Sequence, residues 1–177
     1  MRFLTAEVAN STSAADTIVA FTAYFESDMK LVGLVSGVWD TTQFTPNPSG
    51  RSISLDVFGT DSAREVSQTP GQVEFFVYHG SPDAPAVDVV FDGLTFFFND
   101  VVYTDATEYI FVPPANYVVI LKDSTSSNII RSFEADLSAY ADSAVTIFAS
   151  GFVDPSMNQN GPDLGLFMAQ ANGQVFE

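Results

Sequence analysis

An internal repeat constrains this chain more than any other feature. Ser11-Thr12-Ser13 returns as Ser124-Thr125-Ser126, and Ile18-Val19-Ala20-Phe21 returns as Ile129-Ile130-Arg131-Ser132-Phe133. Ser36-Gly37-Val38-Trp39-Asp40 closes an apolar run that begins at Leu31 and follows Asp28. It returns as Ser150-Gly151-Phe152-Val153-Asp154, closing a run that begins at Val145 and follows Asp142. The loop Pro46-Asn47-Pro48-Ser49-Gly50 returns as Asn158-Gln159-Asn160-Gly161-Pro162. From 11 to 124, from 21 to 133 and from 36 to 150, the offsets are 113, 112 and 114. One copy is therefore about 110 residues long. Residues 67–177 hold a complete copy, whereas residues 1–66 match only its second half, from about Tyr117 onward. Between them, residues 64–71 are polar and carry Pro70 and Gly71, as a linker does.

Strand signals fill both parts. Residues 73–78, 87–91, 94–98, 109–112, 116–121, 129–137, 144–149 and 164–170 are rich in β-branched and aromatic side chains. In the front part, residues 3–9, 17–25, 30–36 and 52–58 read the same way. Asp92-Gly93 suits a type I′ hairpin turn, Asn99-Asp100 marks the end of its second arm, and Pro113-Pro114 stops the strand at 109–112. Phe96-Phe97-Phe98 breaks strict alternation, which implies a strand covered on both faces. A short helical turn fits residues 137–141, but no longer window carries a helical stripe. The expected fold is all-β: an antiparallel, immunoglobulin-like β-sandwich at 67–177, preceded by a partial repeat of the same fold at 1–66.

Composition removes several chemistries. The chain has no cysteine, which excludes disulfides, thiolate metal sites and a cysteine nucleophile. A single histidine excludes any metal site that needs two imidazoles. With 22 acidic and 6 basic residues, the net charge of −16 would repel nucleic acid and anionic membranes. The longest apolar run, residues 31–39, is too short for a membrane span, so no membrane insertion is expected. Met1 to Glu7 does not read as a signal peptide, because Glu7 interrupts the apolar stretch. The half-copy favours a processed or truncated piece of a longer secreted chain over a cytoplasmic protein.

The run Val77-Tyr78-His79-Gly80-Ser81-Pro82-Asp83-Ala84-Pro85-Ala86-Val87-Asp88-Val89 resembles the opening signature of a bacterial family known as domain of unknown function 4397. Ala149-Ser150-Gly151-Phe152, and Ser62-Ala63-Arg64-Glu65 ahead of the linker, also fit tandem members. The resemblance covers 73–177, and covers 1–66 as the second half of a preceding copy. It implies secreted or cell-surface proteins built of tandem β-sandwiches, often ending in a separate sorting domain, and it brings no established activity. The front part lacks its own His-Gly-Ser-Pro-Asp run.

Several constellations invite a chemical reading. His79, Ser81 and Asp83 supply the residue types of a hydrolytic triad, but a triad is normally assembled from separate elements. Within five positions they fit a structural turn better: Pro82 and Pro85 set φ, Asp83 caps N–H groups and His79 bonds across the loop. Gly80 and Asp88 complete this family-motif turn. The other carboxylates read as a solvated acidic surface. Calcium is the cation that oxygen-only loops would take. Asp83, Asp88, Asp92, Asp100 and Asp105 cluster in sequence, and Asp40 and Asp154 are the repeated candidates, with turn capping as the competing role. Trp39, Tyr103, Tyr109 and Tyr140 could present ring faces to a carbohydrate, with the buried core as their other destination.

Half a sandwich exposes an apolar face and open strand edges. Removal of the preceding residues, docking on the complete domain, or strand exchange with a neighbouring chain would each account for it. The expected function is a non-enzymatic extracellular or cell-surface structural or adhesion module. Its partners would be other copies of itself or neighbouring domains of a longer chain. A carbohydrate- or calcium-binding module and a hydrolase using His79 are the alternatives.

Overall fold

The computed structural model describes residues 2–6, 13, 17–22, 27, 30–54, 56–60, 63–94 and 97–177. The chain forms two compact units, Met1–Leu34 with Gly59–Ala63, and Val35–Phe58 with Arg64–Glu177. In the first, β1 (Arg2–Ala6) and β2 (Thr17–Thr22) pair antiparallel from Arg2↔Thr22 to Ala6↔Thr17. β3 (Val32–Ser36) and β4 (Asp56–Thr60) form another two-stranded sheet. The expected strand residues 7–9 and 23–25, together with Ser11, Thr12, Asp28 and Phe96, lie outside the described residues.

The second unit contains a β-sandwich. One sheet has four strands in the order β10-β9-β6-β7: Ile129–Asp136, Asn116–Asp123, Val87–Phe91 and Phe97–Val101. The other has five in the order β13-β12-β11-β5-β8: Val175–Phe176, Gly165–Gln170, Ala144–Ser150, Val73–Gly80 and Ile110–Val112. Alternation puts every second residue between the sheets. Val73, Phe75 and Val77 of β5, with Val145, Ile147 and Ala149 of β11, meet Val87, Val89 and Phe91 of β6 and Tyr117, Val119 and Leu121 of β9. Phe75 and Phe91 join the sheets through rings 5.0 Å apart.

β5 is buried along its whole length. Its second face is covered within the same unit. Tyr78 shares a 2.8 Å hydrogen bond with Ser36 Oγ, Phe76 packs edge-on against Tyr109, and the Glu74 carboxylate receives Arg64 at 2.9 Å.

The all-β sandwich agrees with expectation, and four local details differ. β5 and β11 run parallel, from Glu74↔Ala144 to Gly80↔Ser150, whereas the other strand pairs of the two sandwich sheets are antiparallel. The turn at Asp92-Gly93 has positive φ only at Gly93 (+84°), and Leu94 N–H bonds to the Phe91 carbonyl. Those φ signs belong to type II, not type I′. Asn99 and Asp100 lie inside β7 instead of ending it. Asp100 takes φ +54°, where β7 slips register against β6, and its N–H bonds to Asp88 Oδ1 at 3.0 Å. Residues 137–141 make a hydrogen-bonded turn, Tyr140 N–H to Leu137 O, without a helix.

Candidate functional site

The family-motif residues gather where β5 leaves its sheet. Gly80 is required there, because a Cβ would lie 2.8 Å from the Ala149 carbonyl oxygen across the parallel pair. His79, 2% exposed, turns its ring beneath the following loop. Nε2 donates to the Pro85 carbonyl at 3.0 Å, while Nδ1 accepts the Ser81 N–H at 3.3 Å. A carbonyl can only accept and an N–H can only donate, so this pairing selects the neutral Nε2–H tautomer. Burial holds the His79 pKa below its ordinary value, outweighing the opposing bond to Pro85.

Ser81 is fully buried, and its hydroxyl donates to the Gly151 carbonyl at 2.7 Å. Asp83 reaches across to the loop after β11. Its Oδ1 accepts Val153 N–H at 2.8 Å, and its Oδ2 accepts Asp154 N–H at 2.9 Å and Asn158 Nδ2 at 2.8 Å. His79, Ser81 and Asp83 are thus neighbours, but not in triad order. The imidazole faces a backbone N–H of Ser81, and the Ser81 hydroxyl faces a carbonyl. The motif turn works as a latch between two loops.

Two similar modules meet at this latch. After Ser36, Gly37 takes φ +96° and Val38 N–H bonds to the Ile53 carbonyl at 2.9 Å. After Ser150, Gly151 takes φ +91° and Phe152 N–H bonds to the Pro162 carbonyl at 2.9 Å. Each module then enters a short 3-10 turn, Thr41–Gln43 or Pro155–Met157, capped by Asp40 or Asp154. The modules touch through a Phe44–Phe152 ring stack at 5.5 Å and a bond from Thr45 N–H to Asn158 Oδ1 at 3.0 Å. Buried Asn47 donates both hydrogens of its amide to the motif loop, to Pro82 O at 2.8 Å and Ala84 O at 2.9 Å.

Asn47 and Asn158 join this site in addition to the sequence candidates. The signal was present, since both sit in the repeated Asn/Pro/Gly loops. Both side chains are buried, and their amides satisfy groups on both sides of the junction.

The other candidates are dispersed. Asp40 and Asp154 each accept a backbone N–H and a hydroxyl, from Thr42 and Ser156 respectively. Those side-chain bonds lower both carboxyl pKa values. No group of three or more acidic or imidazole side chains converges on a metal position among the described residues. Asp105 pairs with Arg51 at 3.2 Å, Asp88 pins the β7 bulge, and Asp92 lies exposed in its turn.

Trp39 is 66% exposed, whereas Tyr103 is fully buried beside the His79 ring and offers no face to a sugar. Tyr103 therefore leaves the carbohydrate set, because its ring is spent in the interior. Tyr109 carries the Arg64 guanidinium over its ring at 4.4 Å, and Tyr140 packs edge-on against Phe176. These four aromatics do not form one platform.

The sequence model of the family described as Domain of unknown function (DUF4397) matches residues 73–164. No curated protein and no solved structure matches the chain.

Proposed function

The chain belongs to the DUF4397 family, and we propose that it is a non-enzymatic structural module of the extracellular space or cell surface. In this reading it presents a folded surface for adhesion or assembly, and its partners are copies of itself or neighbouring domains of a longer chain. One observation carries the reading: His79 and Ser81 of the family signature are buried, and they and Asp83 are paired with backbone. His79 holds Pro85, Ser81 holds Gly151, and Asp83 holds Val153 and Asp154. A catalytic group needs at least one face toward substrate, and these residues spend their capacity on joining loops.

The same latch supports a tandem organisation. The segment 35–58 resembles the module after β11 in its glycine, its capped turn and its bridging hydrogen bond, and it seats Asn47 on the motif loop. Strand exchange between chains is the form of self-assembly proposed here.

Replacing His79 by Ala, with melting and turnover of ester, peptide and glycoside substrates followed together, tests the proposal. The structural role predicts a large fall in melting temperature and no hydrolysis by the parent protein. Hydrolysis that disappears in a His79→Ala protein of unchanged stability would overturn it. Light scattering over a concentration series tests strand exchange, which a concentration-independent monomer would remove.

A further inference from the structure

The sandwich has an open side between the edge strand β10 and the β12–β13 edge, and a groove of about 250 Å³ lies there. Its floor is the edge of the core: buried Ile147 and Leu166 and half-buried Met168 line it from the five-stranded sheet. Tyr140 and Phe176 line it with two rings, their centroids 6.4 Å apart and set edge to face. Phe176 remains 42% exposed. The rim is acidic, and among the described residues no basic side chain lines it. Glu134 and Asp136 enter from β10 and Glu177 from the end of β13. Asp136 is engaged by Ser138, whereas Glu134 and Glu177 have no cation paired with them among the described residues.

We infer that this groove binds a small organic cation carried on an apolar body, of the aryl- or alkylammonium class. The body lies on the floor against Met168, Tyr140 and Phe176, because covering these part-exposed side chains removes hydrocarbon from water. The ammonium group faces the rim, where two carboxylates attract positive charge beside the two aromatic rings. An anion of the same shape would meet these carboxylates and the field of a chain with net charge −16. The volume fits one compact ligand and falls below the span of about 300–1,000 Å³ usual for drug-sized molecules. This inference does not depend on the structural role proposed above, because no residue of the motif latch lines the groove.

Titration of the full chain with benzyltrimethylammonium, observed through the methyl signals of Ile147, Leu166 and Met168, tests it. Benzyl alcohol and benzenesulfonate serve as the neutral and anionic counterparts. The expected result is saturable binding of the cation, about tenfold tighter than that of the alcohol, and no binding of the sulfonate. The Glu134→Gln, Glu177→Gln double variant should lose most of that preference while keeping the weak affinity for the alcohol. An Ala139→Phe variant, filling the groove from its exposed rim, should lose both ligands at an unchanged melting temperature. No saturable shift at these methyls, equal affinity for cation and alcohol, or binding of the sulfonate would overturn the inference.

Discussion

Asp83 gives the clearest view of how single side chains hold this fold together. Its two oxygens receive two successive backbone N–H groups and one amide, all from the loop after β11. Asp83→Ala should therefore cost about 2–3 kcal/mol in urea unfolding, the usual scale for hydrogen bonds to a charged acceptor. His79 adds a pH dependence of known sign. Its folded pKa lies below the ordinary value of 6.5 because burial disfavours the charged ring. The unfolded chain thus takes up the proton first as pH falls. The stabilising contribution is complete above 6.5 and is lost as pH drops through the folded value. Unfolding curves between about pH 7 and pH 5 should show declining stability, and His79→Gln should flatten the decline over that window. Exposed carboxylates such as Asp163, held low first by Arg131, lose their share only at more acidic pH. The residue types in this turn were legible from the sequence, where Pro, Asp and Ser within seven positions spell a tight loop. Their partners were not, because Gly151, Val153 and Asn158 lie about 70 residues away and contribute mostly backbone, which carries no residue signature.

At the level of elements, the glycine that opens each module is held by sterics. A Cβ at Gly151 would lie 2.2 Å from the Asp163 carbonyl oxygen, and one at Gly37 would lie 2.4 Å from that of Ser54. Gly93 shares the positive φ but has nothing within 4 Å. Gly93→Ala should cost about 1 kcal/mol, the left-handed penalty alone. Gly151→Ala should cost clearly more in the same denaturant measurement, since backbone has to move as well. Equal losses at the two positions would contradict the close approach. The strands themselves were readable where one face is buried, as in Val87–Phe91 and Asn116–Asp123, whose exposure alternates. Parallel pairing of β5 with β11 was not readable, because parallel and antiparallel strands use the same side chains in a sandwich interior. Glu74 inside an apolar strand was the one hint that β5 has a covered second face. Its partner Arg64 came from a segment that reads as linker.

For the whole molecule, charge sets the response to solvent. Among the described residues, Arg51–Asp105, Arg64–Glu74 and Arg131–Asp163 form ion pairs, but the chain holds only 6 basic residues in all. Most of the 22 carboxylates therefore repel one another. Raising salt from low to moderate concentration screens that repulsion over a Debye length of about 10 Å. The melting temperature should rise accordingly, and a flat or falling response would show that the ion pairs outweigh the net charge. The parallel rung at the middle of the larger sheet also governs how the molecule comes into being. Glu74 meets Ala144, and Gly80 meets Ser150, each across 70 positions of chain. Closing so wide a loop precedes any reward from the contacts it makes. Folding should therefore be slow, on the millisecond-to-second scale roughly typical of such topologies. During biosynthesis β5 emerges from the ribosome long before β11, so a nascent chain halted short of residue 144 holds out a greasy, half-paired ribbon that invites a chaperone or a misplaced neighbour.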